Sequence, residues 1–278
     1  MPSSDRIFLV TGANSGIGKV TAEALARTGG TVLMVCRNAE RGEQARDEIV
    51  RATQNERVEL LLADLASQDD IRQLAEQVTS TYDRLDVLVN NAGLYKDTYV
   101  ETPDGIETTW AVNHLAPFLL TNLLLGHLKA SEQGRIINVS SGAHKQGQVH
   151  FDDPNLKAKY NGLKAYAQSK LANVLHAVEL SRRLRDTVVT ANALHPGVVG
   201  TNIGSGTWAS FFFQGLSFLL LSPEKGARTS IYLATSPEVS TVSGQYFVKC
   251  EPVTPARQAR DVEVARKLWT LSEAMTSR

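Results

Sequence analysis

Apolar residues occur along this chain in two alternating patterns. Nearly continuous apolar runs such as 6–10 and 31–36 are typical of buried strands, and stretches such as 39–53 space their apolar residues by three and four, as amphipathic helices do. The first pattern predicts strands at 6–10, 31–36, 58–63, 85–89, 135–139, 188–194 and 246–248. The second predicts helices that begin at 16 and span 39–53, 68–82, about 105–129, 223–234 and 260–275, and one more that carries residues 166 and 170 and whose core face includes 178.

Strands that alternate with helices form βαβ units, which implies a parallel sheet with right-handed crossovers. The fold class is therefore α/β, and neither a linker nor an internal repeat divides the chain. In such sheets, ligands bind beyond the carboxyl ends of the strands. Candidate chemistry is therefore expected in the loops that follow the predicted strands.

The first of these loops joins the first predicted strand to the helix after it. It carries Gly12, Gly16 and Gly18 in a G-x-x-x-G-x-G pattern, with Asn14 and Ser15 between them. Such a loop lets backbone N–H groups approach a pyrophosphate at the positive end of a helix. Glycine strings also form ordinary turns, but the strand-loop-helix context favours a dinucleotide site.

Arg37 and Asn38 follow the second predicted strand. A site that prefers NAD usually has a carboxylate near this position for the ribose 2′-hydroxyl, whereas an arginine suits the 2′-phosphate of NADP. The alternative is an exposed arginine at a strand end. Because the glycine loop precedes it, the arginine favours NADPH over NADH.

Tyr166 and Lys170 are four residues apart in a predicted helix, so their side chains lie on one face. A tyrosine phenol has a pKa near ~10, and a neighbouring cation favours its deprotonated form. The same spacing recurs at Tyr160 and Lys164, so spacing alone does not identify a site. The Asn-Gly turn signal at 161–162 separates that second pair, and we expect only Tyr166 and Lys170 to share a regular helix.

Other polar residues occur where helix or strand patterns would not require them. Asn113 lies in an apolar helical stretch, as either a satisfied core amide or a functional one, and Pro117 is expected to kink that helix or loosen its hydrogen bonds. Ser140 and Ser141 end the fifth predicted strand, where serines are often only turn formers. The polar segment 142–162 is longer than a simple connection requires and is expected to border a site.

Composition limits the partners and the compartment. Lys and Arg together number 29, as do Asp and Glu, so overall charge gives no case for nucleic acid or an anionic membrane. The two cysteines are too few for a disulfide framework and fit a reducing compartment. The six histidines show no metal-ligand spacing, and the amino terminus lacks a signal-peptide layout. We therefore expect a soluble, cytoplasmic protein without a metal.

The segment 208–221 is the most apolar in the chain but is too short to span a bilayer. Three interpretations are open: a lid and pocket wall over a lipophilic substrate, a core helix, or a surface for peripheral membrane contact. Its position after a ligand-side loop favours the lid.

Together these motifs resemble the short-chain dehydrogenase/reductase family. The shared motifs, in the family's order, are Thr11-Gly12-x3-Gly16-Ile17-Gly18, Asp64-Leu65, Asn90-Asn91-Ala92-Gly93, Asn113, Ser140-Ser141, Tyr166-x3-Lys170 and His195-Pro196-Gly197. The chain is most similar to the retinol dehydrogenase-like branch through 35–37, 112–114 and 169–173. Unlike the membrane-bound vertebrate members of that branch, it is expected to have no amino-terminal anchor. The resemblance implies one Rossmann-like, doubly wound domain with a seven-stranded parallel sheet and helices on both faces.

The resemblance also implies a function, the NADP(H)-dependent interconversion of a lipophilic aldehyde or ketone, retinal-like or otherwise hydrophobic, and its alcohol. The implied catalytic residues are Asn113, Ser141, Tyr166 and Lys170, with Ser141 preferred to Ser140 because the second serine matches the family position. The implied cofactor-binding residues are Gly12, Asn14, Ser15, Gly16, Ile17, Gly18, Arg37, Asn38, Asp64, Leu65, Asn91, Ala92, Gly93, Tyr166, Lys170, Pro196, Gly197, Val199 and Thr201. NADH is the less favoured cofactor.

The single domain is expected to have three parts: a dinucleotide-binding and catalytic core at 6–200, the lid and a following helix at 201–235, and a last strand and terminal helix at 236–278. The family often forms homodimers through the helices that bear Asn113 and Tyr166. The alternative function is a non-catalytic NADPH-binding sensor or scaffold of the same fold. Such a protein would not need Tyr166, Lys170 and Ser141.

Overall fold

The structure of the protein, a computed structural model, describes residues 5–197 and 222–277. The strands are β1 Ile7–Thr11, β2 Thr31–Cys36, β3 Val58–Leu62, β4 Val87–Asn90, β5 Arg135–Val139, β6 Thr190–His195, β7 Tyr246–Val248 and β8 Glu251–Pro252. The α-helices are α1 Gly16–Ala26, α2 Ala39–Thr53, α3 Gln68–Thr81, α4 Thr108–Trp110, α5 Ala116–Ala130, α6 Gly162–Arg183, α7 Pro223–Thr235 and α8 Val262–Thr276. A π-helix, Ala111–Leu115, joins α4 to α5, and a 3₁₀-helix, Gly142–Gln146, follows β5.

The strands form one sheet in the order β3-β2-β1-β4-β5-β6-β7-β8. Strands β1 to β7 pair in parallel, which confirms the predicted parallel α/β sheet. The strand order reverses at β1, which has β2 on one side and β4 on the other. Such a reversal opens a crevice beyond the carboxyl ends of the strands, where ligands bind.

The short strand β8 was not predicted. It pairs antiparallel with β7 through two residue pairs. Lys249 and Cys250 connect the two strands with φ values of 53° and 68°, a left-handed conformation usually taken by Gly or Asn. The sequence carried no hairpin signal because this turn has neither residue and the strand has only two, both exposed.

Helices cover both faces of the sheet, so the central strands are buried on both sides. Leu9 and Leu33 contribute to a core cluster with α3, α5 and α6, whereas Phe8 and Met34 contribute to a second with α1, α2 and α7. Burial on both faces explains why these strands appear in the sequence as continuous apolar runs rather than alternating ones.

The long helix predicted before and through α5 is interrupted by the π-helix. Pro117 has no N–H to donate to the carbonyl of Asn113, as an α-helix would require. The N–H of Ala116 donates instead to the carbonyl of Ala111, five residues back. The predicted loosening of the helical hydrogen bonds near Pro117 is confirmed. The π-helix that results contains Asn113.

Asn161 caps α6, because its side-chain oxygen accepts a hydrogen bond from the N–H of Lys164. Tyr160 therefore precedes the helix, and only Tyr166 and Lys170 share it, as predicted. Lys170 is only 4% exposed, since α6 runs between the sheet and α8.

No helix within the described ranges has the length and apolarity needed to cross a membrane. The segment 208–221 and its three interpretations lie outside those ranges.

Candidate active site

A cleft of about 610 Å³ opens at the carboxyl ends of the central strands. This volume lies in the range of small-molecule sites. The predicted cofactor-binding residues that line it are Gly12, Asn14, Ser15, Gly16, Ile17, Gly18, Arg37, Asn38, Asp64, Leu65, Asn91, Ala92, Gly93, Tyr166, Lys170, Pro196 and Gly197. Val199 and Thr201 lie outside the described residues.

The glycine loop forms one wall of the cleft because its positions favour or require glycine. Gly12 and Gly16 have φ values of 66° and 53°. A Cβ on Gly18 would overlap the carbonyl oxygen of Gly12 and the side-chain amide of Asn91. Glycine therefore lets the loop pack against the start of α1 and present backbone rather than side chains to the cleft.

The N-terminus of α1 retains the donors that an anion needs. Ser15 is the N-cap residue, but its side chain makes no capping hydrogen bond, and the first turn carries no acidic residue. The N–H groups and the positive dipole end at such a terminus bind phosphate. The loop and helix start therefore fit a pyrophosphate group.

Thr11 and Asn91 tie the ends of β1 and β4 together. The Thr11 hydroxyl accepts hydrogen bonds from the N–H groups of Asn91 and Ala92, each at 3.0 Å. The Asn91 side chain donates to the Thr11 carbonyl at 2.7 Å. These bonds fix two loops that line the cleft. The Asn91 side-chain amide is therefore engaged in a hydrogen bond to the protein backbone.

Two arginines lie at the end of the cleft beside β2. The Arg37 side chain is 71% exposed, and its Nη1 lies 3.8 Å from Oδ2 of Asp64. Exposed pairs of this kind contribute little, so the guanidinium is available to a ligand. Asn38 caps α2 by accepting from the N–H of Arg41, and Arg41 also lines the cleft. Sequence reasoning missed Arg41, although the cap at Asn38 was a signal that Arg41 lies on the first helical turn beside Arg37.

Tyr166 and Lys170 reach the cleft from α6. The Lys170 ammonium lies 5.6 Å from the centroid of the Tyr166 ring and donates to the Val139 carbonyl at 3.0 Å. Burial lowers the pKa of Lys170 to about 8. Burial also raises the pKa of Tyr166 above its ordinary value, and a hydrogen bond with Ser141 offsets only part of this rise. In the protein alone, burial thus outweighs the expected lowering of the tyrosine pKa by Lys170.

Ser140 and Ser141 have different partners. The buried Ser140 hydroxyl donates to the Lys170 carbonyl at 2.6 Å. The Ser141 hydroxyl accepts from the N–H of Ala143 at 3.2 Å and is close enough to the Tyr166 hydroxyl to lower the pKa of the phenol. Ser141 is therefore the serine whose hydroxyl faces the tyrosine, while Ser140 anchors the backbone of α6.

Asn113 is fully buried and lies behind the wall of the cleft. Its side chain accepts from the N–H of Leu94 at 2.8 Å and donates to the Leu94 carbonyl at 2.9 Å. It also donates to the Ser169 hydroxyl at 3.0 Å, and that hydroxyl donates to the Tyr166 carbonyl at 2.8 Å. The Asn113 amide therefore links the loop after β4 to the helical turn that carries the tyrosine.

The second tyrosine, Tyr160, does not line the cleft. Its hydroxyl lies 3.0 Å from the Lys96 carbonyl and 3.1 Å from Oε1 of the buried Glu107. Glu107 also accepts from two N–H groups at the start of α4. Tyr160 thus joins two loops and takes no part in the tyrosine-lysine arrangement of α6.

Residues 6–210 match the family model described as short chain dehydrogenase. The chain belongs to the short-chain dehydrogenase family. This dehydrogenase is therefore an oxidoreductase. Human retinol dehydrogenase 13 is 48% identical over 275 residues, which cover 96% of this chain and 83% of the relative. The predicted resemblance to retinol dehydrogenases is confirmed.

Solved structures share the fold of the dehydrogenase. The crystal structure of an uncharacterized protein from Mycobacterium paratuberculosis aligns with a TM-score of 0.80 and 35% identity, over 99% of this chain and 95% of the other. A short chain dehydrogenase from Escherichia coli CFT073, crystallised with NADPH, aligns with a TM-score of 0.73 and 28% identity, over 89% of this chain and 97% of the other. The family and the cleft together support a nicotinamide cofactor.

Proposed function

We propose that the dehydrogenase interconverts a lipophilic aldehyde or ketone and the corresponding alcohol with NADP(H). The observation that carries this proposal is that Ser141, Tyr166 and Lys170 line the same cleft as the glycine loop and Arg37. A proton-transfer group and a phosphate-binding backbone in one cavity suit a reaction between a dinucleotide and a carbonyl group.

The cofactor proposal rests on the two ends of the cleft. The glycine loop and the N-terminus of α1 would hold the pyrophosphate, and Arg37 and Arg41 would hold the 2′-phosphate of NADP. When bound, the nicotinamide supplies or accepts the hydride. NADH lacks the 2′-phosphate and would offer neither guanidinium group an anion to bind.

The proton is handled by the chain's own residues. Tyr166 donates a proton to the substrate oxygen during reduction and takes it back during oxidation. Ser141 hydrogen-bonds that oxygen, since its hydroxyl already faces Tyr166. Lys170, whose ammonium lies 5.6 Å from the centroid of the Tyr166 ring, would favour the phenolate through its positive charge. Asn113 positions a water that resupplies the proton. Its side-chain amide is engaged with Leu94 and Ser169 and links the loop after β4 to the helical turn that carries Tyr166.

A lipophilic substrate is supported by the cleft and by the relatives. Leu94, Val112 and Val139 line the cavity alongside the polar residues. Retinol, after which human retinol dehydrogenase 13 is named, is a lipophilic alcohol. The substrate class is therefore a hydrophobic carbonyl or alcohol.

The test is NADPH oxidation against retinals, medium-chain aldehydes, steroids and quinones, with NADPH and NADH affinities measured for wild type and Arg37→Asp. We expect turnover of a hydrophobic carbonyl and a preference for NADPH. Hydrogen bonds to a charged group contribute about 1.5–3 kcal/mol, so Arg37→Asp should weaken NADPH binding by roughly 10- to 150-fold. Arg51→Asp, on the exposed last turn of α2, is the control. A wild-type protein that binds NADH more tightly than NADPH would contradict the cofactor proposal.

A non-catalytic NADPH sensor or scaffold is the competing function. It predicts NADPH binding without turnover of any member of the substrate panel. The location of Ser141, Tyr166 and Lys170 in the cofactor cleft favours the enzyme, because a sensor has no use for a proton donor there.

Three further predictions stay proposals. The first is a homodimer through the helices that bear Asn113 and Tyr166, and light scattering measures the oligomeric state. Part of α6 is already covered by α8 within the same chain. The second is a cytoplasmic location, with peripheral membrane contact through 208–221 as an outcome of liposome sedimentation. The third is the division into 6–200, 201–235 and 236–278.

A further inference from the structure

Two histidines contact the same peptide group, the one that joins Ser141 to Gly142. Nδ1 of His144 lies 2.8 Å from the Ser141 carbonyl oxygen. On the other side of the same peptide group, the N–H of Gly142 donates to Nδ1 of His195 at 3.2 Å. His144 belongs to the 3₁₀-helix after β5, and His195 ends β6.

The contacts of His144 define its tautomer. A carbonyl oxygen can only accept, so Nδ1 of His144 carries a hydrogen and donates it to Ser141. The other ring nitrogen, Nε2, accepts from the N–H of Ala256 at 3.3 Å. The imidazole is therefore neutral and joins Ser141 to the segment that precedes α8.

Tyr246 of β7 supports the same carbonyl. Its ring centroid lies 4.7 Å from that of His144, and its hydroxyl donates to the Ser141 carbonyl oxygen at 3.5 Å. The His144 side chain is 0% exposed, so the ring is enclosed between β7 and the 3₁₀-helix. The carbonyl is thus held by groups from two elements.

The contact of His195 requires the opposite tautomer. Its Nδ1 accepts from the Gly142 N–H, so in the neutral ring the hydrogen must lie on Nε2. A charged ring would direct an N–H at the N–H of Gly142 and break the contact. Burial is the main cause that lowers the pKa of both histidines, and this favours the neutral forms. The hydrogen bond with the Ser141 carbonyl raises the pKa of His144 without reversing the shift, and His144 and Lys145 lower that of His195 further.

We propose that His144 and His195 are positioning residues that clamp the Ser141–Gly142 peptide and thereby orient the Ser141 hydroxyl toward Tyr166. The inference rests on the proposed role of Ser141. The peptide group follows the extended backbone of Ser141, with φ −155° and ψ 161°, which determines the direction of its side chain. A displacement of that peptide would carry the Cα and hydroxyl of Ser141 away from the substrate oxygen without disturbing the cofactor end of the cleft.

The first test measures the tautomers directly and does not depend on turnover. In protein labelled with ¹⁵N-histidine, NMR at neutral pH should show His144 protonated on Nδ1 and His195 protonated on Nε2. Single histidine variants assign the signals. Charged rings, or the reverse tautomers, would overturn the clamp.

The second test separates positioning from folding. His144→Ala and His195→Ala should lower kcat by roughly 10- to 100-fold, the scale of a misplaced catalytic group, with NADPH affinity close to wild type. Asparagine offers an amide near the place of Nδ1, as a donor in His144→Asn and as an acceptor in His195→Asn. Both asparagine variants should recover part of kcat. His127→Ala, on the half-buried last turn of α5, is the matched control.

The decisive comparison uses Ser141→Ala as the background, with single-turnover measurements to reach low rates. If the histidines act through Ser141, removing either one in this background should lower the rate little further. A loss as large as in the wild-type background would overturn the proposal, because it would indicate general structural damage. If the wild type turns over no carbonyl, the proposed function fails, while the tautomers still decide whether the clamp exists.

Discussion

Tyr166 is the residue whose chemistry the site must adjust most, because burial raises the pKa of a phenol that is already a weak acid. Its neighbours have separate tasks. The Ser141 hydroxyl hydrogen-bonds the phenol, the Lys170 ammonium lies 5.6 Å from the ring, and the Asn113–Ser169 bridge holds the Tyr166 carbonyl. The chemistry of the phenol therefore depends on the nearby Lys170 charge and on the fixed position of the Tyr166 backbone.

Tyr166→Phe tests the proton donor at the residue scale. Positioned acid catalysis contributes typically ~10²–10⁴-fold, so kcat should fall by about that factor while NADPH affinity stays near wild type. Tyr160→Phe is the matched control, since it removes a hydroxyl from a tyrosine with the same Y-x-x-x-K spacing outside the cleft. Steady-state kinetics and fluorescence titration measure both effects. Equal kcat values for the two variants would refute the assignment of Tyr166.

Single residues also show how far sequence reasoning reached. The glycine loop, Arg37 and the tyrosine-lysine pair were recognised because their chemistry depends on local spacing. Arg41 was missed because its relation to Arg37 depends on the turn that Asn38 caps. His144 was counted only among the histidines without metal-ligand spacing, and His195 was noted only as part of the His195-Pro196-Gly197 motif. The peptide group that they share becomes visible only when β5 and β6 pair.

Elements were predicted best where a single pattern governs them. The bounds of β2, α2 and β5 match the apolar runs and the helical spacing. The interruption at the π-helix was anticipated from Pro117, because the missing N–H is a property of one residue. β8 was not anticipated, since its turn adopts a left-handed backbone without Gly or Asn. The burial of nearly every face of α6 could not be read from its sequence, because α8 supplies the cover from the other end of the chain.

The N-cap of α6 gives a prediction at the element scale. Asn161→Ala removes the acceptor for the Lys164 N–H and should lower the free energy of unfolding by about 1 kcal/mol. Asn161→Asp keeps a capping oxygen and should stay close to wild type. Urea unfolding followed by circular dichroism measures the change. If the alanine and aspartate variants are equally stable, the cap does not stabilise the start of this helix.

At the scale of the whole molecule, two buried histidines link the terminal helix and the sheet. Nε2 of His114 lies 2.8 Å from the Ser272 hydroxyl of α8, and Nδ1 of His176 lies 3.2 Å from the side-chain nitrogen of Asn138 in β5. The two histidine rings are 6.2 Å apart, with Trp269 packed beside His176. Residues 158 positions apart make the first of these contacts, so no local pattern could predict it.

These two histidines make the stability of the protein depend on pH. Burial lowers the pKa of His176 to about 3 and holds that of His114 well below 6.5, so both stay neutral in the folded state while the unfolded chain binds protons below pH ~6.5. Their contribution is therefore present above pH ~6.5 and is lost as the pH falls, and the loss for His176 is roughly 2 kcal/mol at pH 5. Urea unfolding at pH 7.5 and pH 5 should show this loss in wild type and a loss about 2 kcal/mol smaller in His176→Gln. Equal pH dependence in wild type and His176→Gln would show that His176 is not held neutral by the fold.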